Sequence, residues 1–255
     1  MSQLHQVTPP SPYPVAGRTY VTQRRVRLGD VTPKGRLRLD ATARYLQDIA
    51  TDDAIDGNYD DPHGWVVRRT EMWVQQFPKY LDHLQLETWC GGVGSHWAER
   101  RTRVSLIDGN NTVAIEAAAL WVRVDLQTLK PLALSDDFRT RIGEAAAGRK
   151  VSARLHVGRD LPPVIDSTPQ VRQPLRFTDF DAIGHLNNAV YWEPLEEYLG
   201  GHRGRRAPMH AVVEHHRSVE PGAELNIAIH ELASRTVLRL RDGAETAALI
   251  QLVTD

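Results

Sequence analysis

Two segments of the chain, 149 residues apart, share one pattern: Val26–Gln47, VRLGDVTPKGRLRLDATARYLQ, and Leu175–Glu196, LRFTDFDAIGHLNNAVYWEPLE. Five positions are identical between them, and these include the glycines Gly35 and Gly184. Each segment has the pattern of a strand, a turn that ends in glycine, and an amphipathic helix. Because an internal repeat usually reflects a repeated structural unit, the pattern predicts two similar units in tandem.

Strand-like runs follow both segments in the same order. The first segment is followed by runs at 65–73, 84–89, 97–107 and 112–124, and the second by runs at 209–216, 225–231, 236–240 and 246–253. Asp-Gly turn signals separate the last two runs of each set, as in hairpins. Each half therefore reads as one helix on an antiparallel sheet, an α+β arrangement. We predict a first unit at 18–126, a linker at 127–173 and a second unit at 174–255.

The composition excludes several classes of protein. The 255 residues include 31 basic and 32 acidic side chains, which excludes a strongly basic nucleic-acid-binding protein. No run approaches the ~18 apolar residues of a membrane helix, and the first residues lack the pattern of a signal peptide. We therefore expect a soluble cytoplasmic protein.

A metal site and a cysteine nucleophile are both disfavoured. The single cysteine, Cys90, excludes a disulfide framework within one chain, and we expect it to be a buried thiol. His215 and His216 are adjacent on a predicted strand, so their side chains point to opposite faces. We expect neither a metal ion nor another cofactor.

The most specific motif lies within the second segment. Its fixed positions are Phe177, Asp179, Asp181, Gly184, His185, Asn187, Asn188, Tyr191 and Glu196. Together they resemble the signature F-x-D-x-D-x-x-G-H-x-N-N-x-x-Y-x-x-x-x-E of hotdog thioesterases. The first half is similar to the amino-terminal half of acyl-ACP thioesterases through Tyr45-Leu46-Gln47, Trp65-Val66-Val67, Phe77-Pro78, Thr88-Trp89 and Trp121-Val122.

This resemblance implies a tandem double hotdog, in which an antiparallel sheet wraps a long helix in each half. It also implies a hydrolase of fatty acid biosynthesis that converts fatty acyl-ACP to free fatty acid and holo-ACP. The expected partner is acyl carrier protein, and the expected state is a monomer or a homodimer. An acyl-CoA thioesterase is the first alternative. A protein that binds acyl chains without turnover is the second.

Thioester hydrolysis needs a base or nucleophile and hydrogen-bond donors for the oxyanion. A carboxylate and an imidazole suit this chemistry, so Asp181 and His185 are the candidate catalytic residues. We expect the backbone N–H groups from Gly184 to Leu186 to bind the oxyanion, and Asn187 and Asn188 to cap the following helix and position the substrate.

The second half departs from the plant-type acyl-ACP thioesterases in three positions. Their asparagine two residues after the aspartate is replaced by Ile183, and their Glu-Cys pair by Ser218 and Val219. Ser218 is a candidate for holding the water. Asp181 remains, and single-hotdog thioesterases of the four-hydroxybenzoyl type work around the matching aspartate without that asparagine.

The first half lacks acid–base groups at the aligned positions. Thr32 aligns with Asp181, and Arg36 aligns with His185. We therefore predict that the first half shapes the acyl pocket and the second half is catalytic.

Two further expectations concern the second helix. The cluster Arg203, Arg205 and Arg206 follows it, and a basic rim would attract an acidic carrier protein. Pro194 falls inside it, which predicts a bend.

Overall fold

The computed structural model describes residues 12–59, 61, 63–165, 168–202 and 204–254. The strands in these ranges are β1 (Thr19–Arg25), β2 (Gly64–Val74), β3 (His83–Val93), β4 (Trp97–Leu106), β5 (Thr112–Val124), β6 (Gln170–Gln173), β7 (Met209–His215), β8 (Leu225–Leu232), β9 (Arg235–Asp242) and β10 (Glu245–Thr254). The α-helices are α1 (Leu39–Asp56), α2 (Asp136–Arg141) and α3 (Glu193–Gly201).

All ten strands form one antiparallel sheet in the order β1-β3-β4-β5-β2-β7-β10-β9-β8-β6. Counted from the outer edge of the sheet, the strands of each half stand in the order first, third, fourth, fifth and second along the chain. The two halves are therefore topological copies. They meet where β2 pairs with β7, from Arg69 opposite Glu214 to Val74 opposite Met209. The chain is thus the expected tandem double hotdog, with one sheet continuous through both halves.

The 149-residue repeat is visible in the backbone. Gly35 and Gly184 have φ angles of 78° and 89°, values that a residue without Cβ adopts at low cost. The expected strand at the start of each segment is absent, and 3₁₀ turns stand there at Leu28–Asp30 and Phe177–Asp179. Each turn forms because its terminal aspartate accepts a hydrogen bond from the backbone N–H three residues earlier.

The helices of the two halves differ in length. α1 has 18 residues, whereas its counterpart is a 3₁₀ turn at Val190–Trp192 followed by the nine residues of α3. Pro194 lies in the first turn of α3, so the predicted interior bend is wrong. The fixed φ of proline and its missing N–H are compatible with the start of a helix.

The sequence prediction missed the two edge strands, β1 and β6. Both carry many polar side chains, as edge strands do, and so lack the alternation of a half-buried strand. β6 falls at the end of the segment predicted to be a linker. Within that segment the predicted helix cap is present, since Ser135 Oγ accepts a hydrogen bond from Phe138 N at 3.1 Å.

No helix in the described part of the chain combines the length and the apolar character needed to cross a membrane.

A buried carboxylate joins the two halves on the helix side of the sheet. Glu196 of α3 accepts hydrogen bonds from both terminal nitrogens of Arg36, at 3.0 and 2.8 Å. Its Oε1 also accepts one from the backbone N–H of Leu39 at 2.6 Å. Leu39 is the first residue of α1, where an N–H has no acceptor within the helix. A side chain from the second half therefore caps the long helix of the first.

We expect Glu196→Ala to lower the free energy of unfolding by about 3 kcal/mol, because it leaves a buried N–H unsatisfied and Arg36 unpaired. Urea denaturation followed by circular dichroism measures this loss. The matched control is Glu197→Ala, since Glu197 is exposed on the same helix. The control should change stability by less than about 0.5 kcal/mol. Equal stability of the two variants would contradict the capping role of Glu196.

Candidate active site

A tight turn places Asp181 and His185 opposite each other at its base. Asp181 N donates to His185 O at 3.0 Å, and Gly184 N donates to Asp181 O at 3.0 Å. Thr32, Gly35 and Arg36 form the same two hydrogen bonds in the first half, both at 2.8 Å. The two halves therefore build the same turn and present different side chains from it.

One carboxylate oxygen of Asp181 is held and the other is available. Oδ1 accepts from Ile183 N at 2.9 Å and, more weakly, from His185 N at 3.4 Å. Oδ2 has no hydrogen-bond partner among the described residues. Asp181 is half-buried, whereas the apolar side chain of Ile183 is exposed and gives the site no polar group. A carboxylate in this state can accept a proton or attack a carbon.

The expected oxyanion donors are already occupied, which corrects the sequence-based prediction for Gly184 and Leu186. Gly184 N closes the turn, and Leu186 N donates to Val219 O at 2.8 Å. Asn187 N donates to Asp179 O at 2.9 Å. The hydrogen bonds of these amides connect the turn to the adjacent backbone.

The backbone N–H of Asn188 is different, because it has no acceptor among the described residues. The repeat aligns Asn188 with Leu39, whose N–H binds the Glu196 carboxylate. It also aligns Gln47 with Glu196, but Gln47 Nε2 donates to Asn187 Oδ1 at 3.1 Å. In the first half the Leu39 N–H is thus bound by the Glu196 carboxylate. In the second half the equivalent N–H of Asn188 has no such partner among the described residues.

Asn187 fixes the orientation of this amide. Its Oδ1 accepts from Ala189 N at 2.9 Å as well as from Gln47 of α1. The Asn187 side chain therefore holds the backbone just before the 3₁₀ turn at Val190–Trp192 and links it to the opposite half. That cross-half contact could not be found from the motif alone, since Gln47 is 140 residues away in the sequence.

Two aromatic rings of the second half are buried against each other. The rings of Tyr191 and His215 meet edge to face with their centroids 4.6 Å apart. Burial raises the pKa of Tyr191, against the charge of Arg217 and with a smaller contribution from Asp181. Burial also lowers the pKa of His215 to about 3, and its Nε2 has no partner among the described residues. Both rings are therefore neutral near pH 7, and no motif in the sequence assigns either of them to the site.

The metal and thiol alternatives gain no support. His215 is the buried last residue of β7, whereas His216 lies just beyond the strand and is exposed. No group of three His, Cys, Asp or Glu side chains within the described ranges is arranged to hold a metal ion. Burial raises the pKa of the Cys90 thiol to about 11, which keeps it in the unreactive protonated form.

Ser218 lies beside the turn and is exposed. Leu186 N binds Val219 O in the second half, as Leu37 N binds Pro78 O in the first. By this equivalence Ser218 takes the place of Phe77, whose ring centroid is 4.3 Å from the guanidinium carbon of Arg36. Ser218 is therefore expected next to His185.

The basic residues after α3 lie far from this turn. Arg205 donates to Thr254 Oγ1 at the end of β10, whereas Arg217 pairs with Glu245 at its start. With a rise of about 3.3 Å per residue, the two ends are roughly 30 Å apart. Arg206 neighbours Arg205, and Arg203 lies outside the described residues. A carrier protein bound at Arg205 would therefore lie well away from Asp181.

A small cavity lies between α1 and the strands β2, β4 and β5, and it has a volume of about 30 Å³. Most of its lining residues belong to the first half, and Asn188 and Trp192 of the second half complete it. The role of the first half in shaping an acyl pocket stays a prediction.

The chain matches two family models in tandem. The acyl-ACP thioesterase N-terminal domain matches residues 17–142, and the acyl-ACP thioesterase C-terminal domain matches residues 165–253. An uncharacterized protein of Mycobacterium tuberculosis is 29% identical over 241 residues, covering 93% of this chain and 94% of that protein. The chloroplastic dodecanoyl-[acyl-carrier-protein] hydrolase of Umbellularia californica is 28% identical over 130 residues, 50% of this chain and 34% of that protein.

Solved structures share the fold at low sequence identity. The acyl-ACP thioesterase of Bacteroides thetaiotaomicron has a TM-score of 0.76 at 17% identity, covering 93% of this chain and 98% of that chain. The 12:0-ACP thioesterase of Umbellularia californica also has a TM-score of 0.76, at 19% identity, covering 94% of this chain and 98% of that chain. With both family models matched across the two hotdog halves, the chain belongs to the acyl-ACP thioesterase family.

Proposed function

We propose that the protein hydrolyses an acyl-ACP thioester to the free acid and holo-ACP, with one active site in the second half. One observation carries this proposal. Asn188 N–H, which follows the Asp181 turn in the chain, has no acceptor among the described residues, while its counterpart Leu39 N–H binds a carboxylate. An amide that binds an anion in one copy is a suitable oxyanion donor in the other.

The chemistry follows from this placement. The thioester carbonyl oxygen accepts a hydrogen bond from Asn188 N–H, which polarises the carbon. In the general-base route Asp181 Oδ2 takes a proton from the attacking water, the C–S bond breaks, and the protonated carboxyl returns this proton to the departing sulfur. In the nucleophilic route Asp181 Oδ2 attacks the carbon, and the C–S bond breaks to give an anhydride and a thiolate, which takes a proton from water. A water molecule then hydrolyses the anhydride to the free acid and the Asp181 carboxylate. His185 and Ser218, across the turn, position the water.

The equivalent turn of the first half lacks the groups that this reaction needs. Thr32 replaces the carboxylate, Arg36 replaces the imidazole, and Glu196 occupies the amide. Placing an acyl oxygen there would bring it against a carboxylate, which repels it. One site per chain is therefore expected from a scaffold with twofold topology.

The choice of carrier rests on the family. The domains matched are those of acyl-ACP thioesterases, so we propose ACP rather than CoA. Thiol release from the same acyl group on ACP and on CoA tests this choice. A higher kcat/KM on ACP supports it, and a higher value on CoA identifies an acyl-CoA thioesterase. Tight binding without thiol release from either carrier would contradict hydrolysis altogether.

We expect Asp181→Asn to lower kcat by about 10²- to 10⁴-fold, since the amide can neither take the proton nor attack the carbonyl. Thiol release under saturating substrate measures the change. The matched control is Thr32→Val at the equivalent turn of the first half, which should keep kcat within about twofold. A wild-type rate in Asp181→Asn would refute the role of this carboxylate.

The open amide can be tested by removing its hydrogen. Asn188→Pro lacks the N–H, and proline is compatible with the first position of a helix, which Leu39 occupies in the first half. We expect kcat to fall about 10²- to 10³-fold, the scale of losing one oxyanion donor. Asn188→Ala keeps the N–H and should retain activity within a few-fold. Equal activity of the two folded variants would exclude Asn188 N–H as the donor.

A further inference from the structure

Two arginines of the second half lie on the outer face of the sheet, which is the face turned away from the helices. Arg239 and Arg241 are two residues apart on β9, and Leu240 between them belongs to the core on the helix side. Because strand side chains alternate between the two faces, both arginines point outward. In agreement, Arg239 pairs with Leu249 of β10, which packs against Val157 of the connecting segment, outside the helix-side core.

Neither arginine has a carboxylate partner among the described residues. The Nε–H of Arg239 is buried and has no acceptor there. Burial and then the charge of Arg241 lower the pKa of Arg239, as expected for a cation without a counter-ion. Arg241 donates only to neutral oxygens, Gln170 Oε1 at 3.4 Å and Ala244 O at 3.3 Å.

The first half neutralises the arginine at the equivalent position. Aligned on the backbone oxygens that the two turns bind, the halves place Glu87 of β3 at the position of Ala228 of β8. Glu87 pairs in register with Arg103 of β4. Ala228 pairs in register with Arg239 of β9, which makes the two arginines equivalent. Arg103 has a second acidic neighbour, because its Nη2 is 3.2 Å from Glu116 Oε1 of β5.

The second half has apolar residues in place of both acids. Ala228 stands at the position of Glu87, and Leu249 stands at the position of Glu116. Arg241 then adds a second positive charge on the same face. Because the same place in the sheet is neutralised in the first half, the unbalanced charge of the second half is not a requirement of the fold.

Three acidic side chains close to these arginines are already paired. Asp242 and Glu245 both pair with Arg217, and Glu224 pairs with Arg172. They are therefore not available to balance the two arginines of β9. The outer face of β9 thus carries positive charge that an acidic partner could neutralise.

This surface adjoins the turn of the proposed active site. Arg217 Nη2 donates to Asp242, the residue that follows Arg241, at 2.7 Å. Two residues beyond Arg217, Val219 O accepts the hydrogen bond from Leu186 N of the turn at 2.8 Å. A protein bound to the outer face of β9 would therefore lie beside the strand ends next to the turn, unlike one bound at the basic cluster after α3.

From the two unbalanced arginines, the acids present only in the first half and the nearness of the turn, we propose that the outer face of β9 at Arg239 and Arg241 is the docking surface for an acidic acyl carrier protein. The inference rests on the proposed thioesterase function and specifies where its partner binds. Carboxylates of the carrier pair with these guanidinium groups, as Glu87 and Glu116 face Arg103 in the first half.

Kinetics with the same acyl group on ACP and on pantetheine tests this surface. The double variant Arg239→Glu/Arg241→Glu reverses its charge, and we expect KM for acyl-ACP to rise about tenfold or more because the carrier is then repelled. The kcat/KM for acyl-pantetheine, which lacks the carrier protein, should stay within about twofold. Higher ionic strength should raise the wild-type KM for acyl-ACP and lower that of the variant, since it screens attraction and repulsion alike.

The matched control is Arg205→Glu/Arg206→Glu, which makes the same change of charge in the cluster after α3. Its KM for acyl-ACP should stay within about twofold of the wild-type value. An equal rise in the control overturns the assignment to β9, and so does an unchanged KM in Arg239→Glu/Arg241→Glu. An equal loss on acyl-pantetheine also overturns it, because the effect then lies in the active site. If the double variant does not fold, Arg241→Glu and its control Arg206→Glu make the same comparison.

A binding measurement separates the docking surface from the function on which it rests. If neither thioester releases thiol, hydrolysis itself fails, and calorimetry with holo-ACP then decides. Binding that is weakened about tenfold by Arg239→Glu/Arg241→Glu, and not by the control, supports the surface. Equal binding by both variants, or no binding of holo-ACP to the wild-type protein, overturns it.

Discussion

The carboxylate of Glu196 stands where the two halves of the molecule meet, and much of the architecture depends on it. It neutralises Arg36 and caps the first turn of α1 from the opposite half. A helix of 18 residues begins with amides that nothing within the helix can satisfy, so the anion is a structural requirement there. The same carboxylate occupies the amide at the start of α1, so this amide is not free to bind another acceptor.

The second copy of the turn lacks this carboxylate cap. Gln47, the residue aligned with Glu196, is neutral and bonds the Asn187 side chain instead of the helix amide. The helical segment that follows is correspondingly weaker, a 3₁₀ turn and a nine-residue helix in place of one long helix. The two copies of the turn therefore differ in whether a carboxylate binds the amide that follows it.

Two neutral rings are packed together in the second half. Burial keeps His215 unprotonated, with a pKa lowered to about 3, and it keeps Tyr191 protonated. Their edge-to-face contact therefore fills this part of the core without a buried charge.

The sequence by itself determined the repeat and the two tandem α+β halves. It also determined eight of the ten strands and the turn that carries Asp181 and His185. These features were predictable because alternation, turn residues and a specific motif are local signals. It missed the polar edge strands β1 and β6 and misplaced Pro194, since short edge strands and helix starts have weak local patterns. It also assigned the oxyanion role to amides of Gly184 and Leu186, which are bonded elsewhere. Whether an amide is free depends on its neighbours in space. Only the tertiary structure, which brings Glu196 to Leu39 and Gln47 to Asn187 across about 140 to 160 residues of chain, decided that a carboxylate binds the first of the two aligned amides and not the second.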